Sequence, residues 1–300
     1  MAQWDVFSSR PLEGNSLAVF LDGRGLTDAE MQSIAKEMNL SEITFILPRD
    51  AVTERERGIR VRIFTVREEL PFAGHPTLGT AFALRGRGDA DRGDTKKNGA
   101  REKEIVLELN VGKVPVTFED SAGAPAFGEM TQIDPTFGMQ HEREAVARAT
   151  GLCVQDFDDA LPIETISTGL PYTLTPLKSL AVMRNLQIDL NRGSEYLART
   201  GGRFFYFVTR ETVASDARLH ARMLFYNGED PATGSAAGCA AAWMVGHGVA
   251  KPEERVLIEQ GVEIKRPSRI FVRASRSDNR VVNVRVGGNS VEIMRGELFL

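Results

Sequence analysis

The chain is poor in cysteine, with only Cys153 and Cys239 among 300 residues. Neither stands at a metal-binding or redox spacing, so no metal site is expected. Strong charge of either sign is also missing. A net charge of −4 recommends neither nucleic acid nor an anionic membrane as a partner. No apolar run approaches membrane-spanning length. The opening residues, MAQWDVFSSRPLEGN, lack a basic region followed by an apolar core, so no signal peptide is expected. These absences lead to the expectation of a soluble, cytoplasmic protein. With 42% hydrophobic and 26% charged residues, the composition is that of an ordinary globular chain able to bury a sizeable core. The length fits two domains or one large one.

What the sequence does contain is a repeat. Residues 62–84 read RIFTVREELPFAGHPTLGTAFAL, and residues 222–244 read RMLFYNGEDPATGSAAGCAAAWM. A shift of 160 positions pairs Arg62 with Arg222, Glu69 with Glu229, Pro71 with Pro231, Gly74 with Gly234 and His75 with Ser235. Each copy runs from an apolar strand through an acidic turn to an Ala-rich segment that starts at glycine. This pattern predicts two similar lobes, each sending a helix N-terminus towards a shared cleft. A helix start leaves backbone N–H groups without intrahelical partners and carries partial positive charge. Two such starts would hold a small anion such as a carboxylate. Pro76 suits the first helical position, and Ser235 can cap the other helix. A single copy reads better as a strand-turn-helix junction that binds nothing; the repetition reverses that preference in favour of a site.

The rest of the chain supports the duplication. Trp4–Phe7 and Leu17–Leu21 read as strands around a Gly14-Asn15 turn. Thr27 and Glu30 form a capping box before a helix ending near Asn39. Ser41–Leu47 reads as a strand with the carboxylate of Glu42 at its mouth. Residues 59–66 make the next strand, and Pro76 to about Leu84 a buried helix. Residues 86–104, rich in charge and glycine, read as a loop. Strands follow at Ile105–Asn110 and Lys113–Glu119, with Ser121–Pro125 as an interdomain connector near residue 124. A short helix over Glu142–Ala149 stops at Gly151. The strands Ile163–Ser167 and Tyr172–Pro176 resemble the opening pair. Ser179–Asn185 reads as a strand, Leu190–Thr200 as a helix and Arg203–Thr209 and Ala221–Tyr226 as strands. After the Gly234–Val245 helix the tail alternates as four short strands.

Proton transfer on a small carboxylate needs a titratable group beside the anion site, and the candidates are Glu42, His75 and Asp230. Taken alone, Glu42 is also readable as a strand-end glutamate facing water, and His75 as an imidazole that only orders its loop. Two-lobed cofactor-independent racemases use a pair of thiols. Here the corresponding positions are His75 and Ser235, which excludes that mechanism. Cys239, one turn beyond Ser235, is expected to be buried and inert.

Asn39-Leu40-Ser41-Glu42, the Leu70–Thr77 segment LPFAGHPT and the Glu229–Ser235 segment EDPATGS resemble the signature segments of the PhzF family. That family is the phenazine-biosynthesis isomerase group. Gly14-Asn15 and Ser167–Pro171 look like further landmarks, and the resemblance spans nearly the whole chain. Ile43, where the family usually has threonine, and the long 86–104 loop are departures. The resemblance implies an α+β, diaminopimelate-epimerase-like fold. It consists of two pseudo-twofold lobes, residues 1–124 and 125–300, each a barrel-like sheet around a central helix. The strand near 291–300 would pass back to the first lobe. It also implies an isomerase of a small carboxylic acid that needs no cofactor, assembled as a homodimer. Glu42 would be the general acid/base, assisted by His75 and Asp230, with Gly74, Gly234 and Ser235 holding the carboxylate. In the founding enzyme the substrate is trans-2,3-dihydro-3-hydroxyanthranilic acid. A one-base epimerase of an amino-acid-like substrate and a non-catalytic carboxylate-binding protein are the alternatives.

Overall fold

In the computed structural model, which describes residues 1–87, 102–226 and 228–300, the chain divides into two compact units. One comprises Met1–Thr131 with Gly287–Leu300, the other Gln132–Val286. Most of the loop expected at 86–104 lies outside the described residues.

The first unit opens with strands β1 (Ala2–Val6) and β2 (Asn15–Phe20), then helix α1 (Asp28–Met38). Thr27 and Glu30 cap α1 reciprocally, and Asn39 ends it in the left-handed conformation. Next come β3 (Glu42–Leu47) and the unforeseen helix α2 (Ala51–Arg57). Asp50 caps α2 through the N–H groups of Val52 and Thr53, but α2 buries no residue, so no apolar stripe announces it. Strands β4 (Ile59–Phe64) and β5 (Glu69–Leu70) lead into helix α3 (Gly74–Arg87), followed by β6 (Glu104–Leu109), β7 (Gly112–Glu119) and β8 (Phe127–Thr131). Ser121–Pro125 is therefore not an interdomain connector. It turns the chain between β7 and β8, which pair antiparallel with Phe118 opposite Gly128.

The second unit contains β9 (Thr136–His141), α4 (Arg143–Thr150), β10 (Ile163–Ser167) and β11 (Pro171–Pro176). Helices α5 (Leu180–Arg184) and α6 (Leu190–Thr200) precede β12 (Phe204–Thr209) and β13 (Ala217–Arg222). A small hairpin, β14 (Leu224–Phe225) and β15 (Gly228–Glu229), enters helix α7 (Gly234–Gly246). Strands β16 (Val256–Gln260), β17 (Ser268–Ser277) and β18 (Arg280–Gly288) follow, and β19 (Ser290–Arg295) returns to the first unit. Helix α5 corrects the strand expected at Ser179–Asn185. Ser179 caps it, and β11 and β12 pair in parallel, so the chain between them must cross over rather than add a strand.

The strand orders are β19-β1-β2-β3-β4-β6-β7-β8 in the first unit and β9-β10-β11-β12-β13-β16-β17-β18 in the second. In both, the first six pairings run antiparallel, antiparallel, parallel, antiparallel, parallel, antiparallel. The sheet of the first unit wraps α3, which packs against β1, β2, β3, β6, β7, β8 and β19. One helix can meet that many strands only inside a curled sheet. Helix α7 has no charged residue, and Gly234–Val245 are all buried. In α3 the first charge is Arg85, whose guanidinium pairs with Asp120 and lies 4.4 Å from the Phe118 ring centroid. No helix among the described residues is long and apolar enough to cross a membrane.

The repeat is legible at atomic detail. Arg62 Nε and Nη2 bind Glu69 Oε1 and Oε2 at 2.9 and 2.6 Å. Arg222 binds Glu229 through the same atoms at 2.9 and 2.6 Å. Each two-pronged pair ties a long strand to the short arm that leads into a central helix.

Candidate active site

In the first unit, β3 begins at Glu42 and runs parallel to β2, with Leu17 opposite Glu42. Helix α3 carries His75 at its second residue; Pro76 is the third rather than the first, still within the turn that needs no N–H partner. Asn15, the first residue of β2, donates from Nδ2 to His75 Nδ1 at 3.1 Å. An amide nitrogen can only donate, so Nδ1 accepts and the ring proton sits on Nε2. His75 Nε2 is buried and has no hydrogen-bond partner among the described residues. Burial pushes the imidazole down to about 3, so the ring is neutral across the working range. Glu42 Oε2 lies 3.7 Å from His75 Nδ1, beyond hydrogen-bond reach. The Glu42 side chain is 15% exposed and that of His75 only 3%. A carboxylate therefore stands beside a neutral imidazole whose only N–H has no acceptor among the described residues.

The second unit builds a different set at the corresponding place. Asp230 is buried, and its Oδ2 accepts from Thr233 Oγ1 at 2.6 Å. Thr233, not Ser235, is the N-cap residue of α7, and its side chain makes no capping hydrogen bond because the hydroxyl is given to Asp230. The first N–H groups of α7 thus keep the donor character of an uncapped helix start. Ser235, inside the first turn, shares a 2.8 Å hydrogen bond with the Tyr172 hydroxyl. Gln132 Nε2 donates to the Gly234 carbonyl at 3.0 Å. Gly238 makes room for this amide; a Cβ there would fall 1.9 Å from Gln132 Oε1. Cys239 is buried and its thiol is pushed up to about 11, as befits an inert side chain.

Strand register aligns the two sets residue by residue. Phe45 faces Arg62 across β3–β4, and Phe207 faces Arg222 across β12–β13. Leu17 faces Glu42, and Tyr172 faces Phe204. Glu42 therefore corresponds to Phe204, Thr44 to Tyr206 and Asn15 to Leu170. Arg60 faces Glu108 and His220 faces Glu259, so Leu109 corresponds to Gln260. The first unit brings together Glu42, Gly74 and His75 with Asn15, and the second gathers Asp230, Gly234 and Ser235 near the start of α7. Thr233, Gln260, Tyr172 and Tyr206 were not singled out as site residues from sequence. Thr233 was the most accessible of them, because it precedes Gly234 in the repeat where Ala73 precedes Gly74.

The model of the phenazine biosynthesis-like protein family, PhzC-PhzF, matches residues 4–296. The chain belongs to the PhzF family. It is 35% identical to the trans-2,3-dihydro-3-hydroxyanthranilate isomerase of Pseudomonas aeruginosa, with 99% of this chain and 98% of that protein covered. Among solved structures, a predicted epimerase of Pseudomonas aeruginosa superposes with TM-score 0.82 at 36% identity, covering 100% of this chain and 98% of that one. A PhzF-family protein of Bacillus anthracis superposes with TM-score 0.85 at 27% identity, with the same coverage. The chain is accordingly an isomerase with the PhzF fold. The PhzF signature segments singled out from sequence are the ones that carry Glu42, His75 and Asp230.

Proposed function

We propose that the chain is a cofactor-independent isomerase of a small carboxylic acid, with Glu42 as its general acid/base. The observation that carries the reading is the first unit's pair: a carboxylate 3.7 Å from an imidazole held neutral, whose Nε2–H has no acceptor among the described residues. Glu42 removes a proton from one carbon of the substrate and returns it to another, while the double bond moves between them. The reaction is balanced within the substrate and calls for no oxidant or reductant. The His75 Nε2–H donates to a substrate oxygen or nitrogen where negative charge develops. Asp230 binds a polar substrate group, and uncapped N–H groups at a helix start hold the carboxylate. The relative at 35% identity makes trans-2,3-dihydro-3-hydroxyanthranilate the first substrate to try. The predicted-epimerase relative at 36% identity favours a second reading, in which Glu42 removes and returns a proton at one stereocentre of an amino-acid-like acid.

The test is NMR of cyclic and amino carboxylic acids incubated with the protein in deuterium oxide, with wild type beside Glu42→Gln. Bond migration by wild type, reduced about a thousandfold or more in Glu42→Gln, is the expected result. Deuterium entry at a stereocentre without bond migration selects the epimerase. Turnover unaffected by Glu42→Gln overturns both.

A further inference from the structure

Below Asp230 lies a closed polar network that the proposed chemistry has not used. Gln260, the last residue of β16, is fully buried and fully satisfied. Its Oε1 accepts from the Tyr206 hydroxyl at 3.0 Å and from the Thr233 N–H at 3.1 Å. Its Nε2 donates to the Asp230 carbonyl at 2.8 Å and to Thr233 Oγ1 at 2.9 Å. Since Thr233 Oγ1 accepts from Gln260, its own proton is directed to Asp230 Oδ2, at 2.6 Å. One amide thus fixes the backbone of Asp230, the rotor of Thr233 and, through it, one carboxylate oxygen.

The other half of the chain provides an internal control. The counterparts of Asp230, Thr233 and Gln260 are Leu70, Ala73 and Leu109, all three buried and apolar. The counterpart of Tyr206 is Thr44, which is bonded to Thr80 instead. The same strand-arm-helix junction therefore packs with a wholly apolar trio. Buried polar groups cost stability unless every one is paired, so a fold that can do without them gains nothing by keeping them for packing alone. All three differences occur together, as expected if they form one device.

We infer that Gln260 and Thr233 are positioning residues that hold the Asp230 carboxylate in its substrate-binding orientation through the hydrogen bond to Oδ2. This inference rests on the reading of Asp230 as a substrate-binding group. The tyrosine end of the network stays protonated, because burial and then the Asp230 charge raise the Tyr206 hydroxyl well above its usual range.

The test uses the full chain and has two arms. In the first, selectively 13C-labelled aspartate carboxyls are titrated by NMR in wild type, Thr233→Ala, Thr233→Ser and Gln260→Leu. The Asp230 resonance is assigned with Asp230→Asn. Loss of the donated hydrogen bond should move the Asp230 titration upward by about half a unit or more in Thr233→Ala and Gln260→Leu, with Thr233→Ser close to wild type. The second arm measures turnover of whichever acid wild type converts. Here kcat should fall about 10- to 100-fold in Thr233→Ala and be restored by Thr233→Ser, with a smaller change in KM. Because Gln260→Leu also strips partners from Tyr206 and the Thr233 N–H, the Thr233 pair decides the matter should that variant not fold. An unmoved Asp230 titration in Thr233→Ala overturns the inference whether or not any substrate is found. A moved titration with unchanged turnover in Thr233→Ala overturns the positioning role and leaves the network merely structural, whereas unchanged turnover in Asp230→Asn overturns the reading on which it rests.

Discussion

The first unit has Asn15, Glu42 and His75 where the second has Leu170, Phe204 and Ser235. The second has Asp230, Thr233 and Gln260 where the first has Leu70, Ala73 and Leu109. The scaffold around these positions is shared down to the Arg-Glu pairs and the order of strand orientations. Gly14 and Gly169 are counterparts too, both at positive φ; at Gly14 a Cβ would lie 2.3 Å from the Val6 carbonyl. Beyond their connecting helices, the units differ most tellingly in the residues facing the start of each central helix. A duplicated scaffold lets each half carry one polar set and fill the other set's positions with apolar side chains, Ser235 excepted. No half has to bury both networks.

The comparison can be broken by giving one half the residue of the other. His75→Ser places in the first unit what the second already holds, so the junction tolerates the residue. Its buried Nε2–H donor is lost, and kcat should fall about 100- to 1,000-fold in the same NMR assay, the usual cost of one pre-placed donor. Asn15→Leu, the corresponding swap one step back, frees the ring to change tautomer and should fall short of that loss. Retention of full turnover by His75→Ser would falsify the assignment of His75 as a donor to substrate.

Much of this was legible in the sequence, for identifiable reasons. The strand-arm-helix junctions were visible because they occur twice with the same Arg, Glu, Pro and Gly spacing. The cap at Thr27 and the stops at Asn39 and Gly151 were readable because cap chemistry is local. The α5 segment misled because its apolar residues suit a strand as well as a single helical turn, and the parallel pairing of β11 with β12 decided the matter. Strands β8 and β9 escaped for want of alternation. In β9, Thr136–Gln140 are all exposed, which is no pattern at all. Glu42, His75 and Asp230 stood out through their motifs. Gln260 did not, because a lone glutamine at a strand end acquires its meaning only from Tyr206, Thr233 and Asp230 folded around it.

The shared Arg-Glu pairs sharpen the comparison on the side of stability. Arg222 and Glu229 are each 9% exposed, whereas Arg62 is 15% and Glu69 25% exposed. Arg222 also donates to the Met183 carbonyl, while Arg62 reaches the exposed Asp28. Removing one partner of a buried pair leaves the other charge uncompensated, and the cost grows with burial. Urea unfolding should therefore show Arg222→Met destabilised by about 3 kcal/mol and Arg62→Met by about 1–2 kcal/mol. Equal losses would mean that the two copies are held more alike than their burial implies.

The halves also separate by pH. His75 is buried without a charged bond, and burial takes it down to about 3. For His220 burial acts in the same direction. Hydrogen bonds at 2.8 Å to Glu259 and 3.0 Å to Glu263 outweigh it, and the imidazolium persists up to about 9. A histidine that binds its proton more tightly when folded stabilises the protein fully below its unfolded value near 6.5. That contribution fades as pH rises through 9, and the interval is worth up to about 3 kcal/mol. The His75 ring works the other way. Below 6.5 the unfolded chain takes a proton that the folded one refuses, so stability drains as pH falls towards 3. Urea midpoints measured from pH 4.5 to 9.5 should thus decline on both sides. His220→Gln should flatten the alkaline limb alone, and His75→Ser the acid limb alone, whatever offset each variant adds at neutral pH. An alkaline limb of unchanged slope in His220→Gln would assign that loss to other groups and remove this contrast between the units.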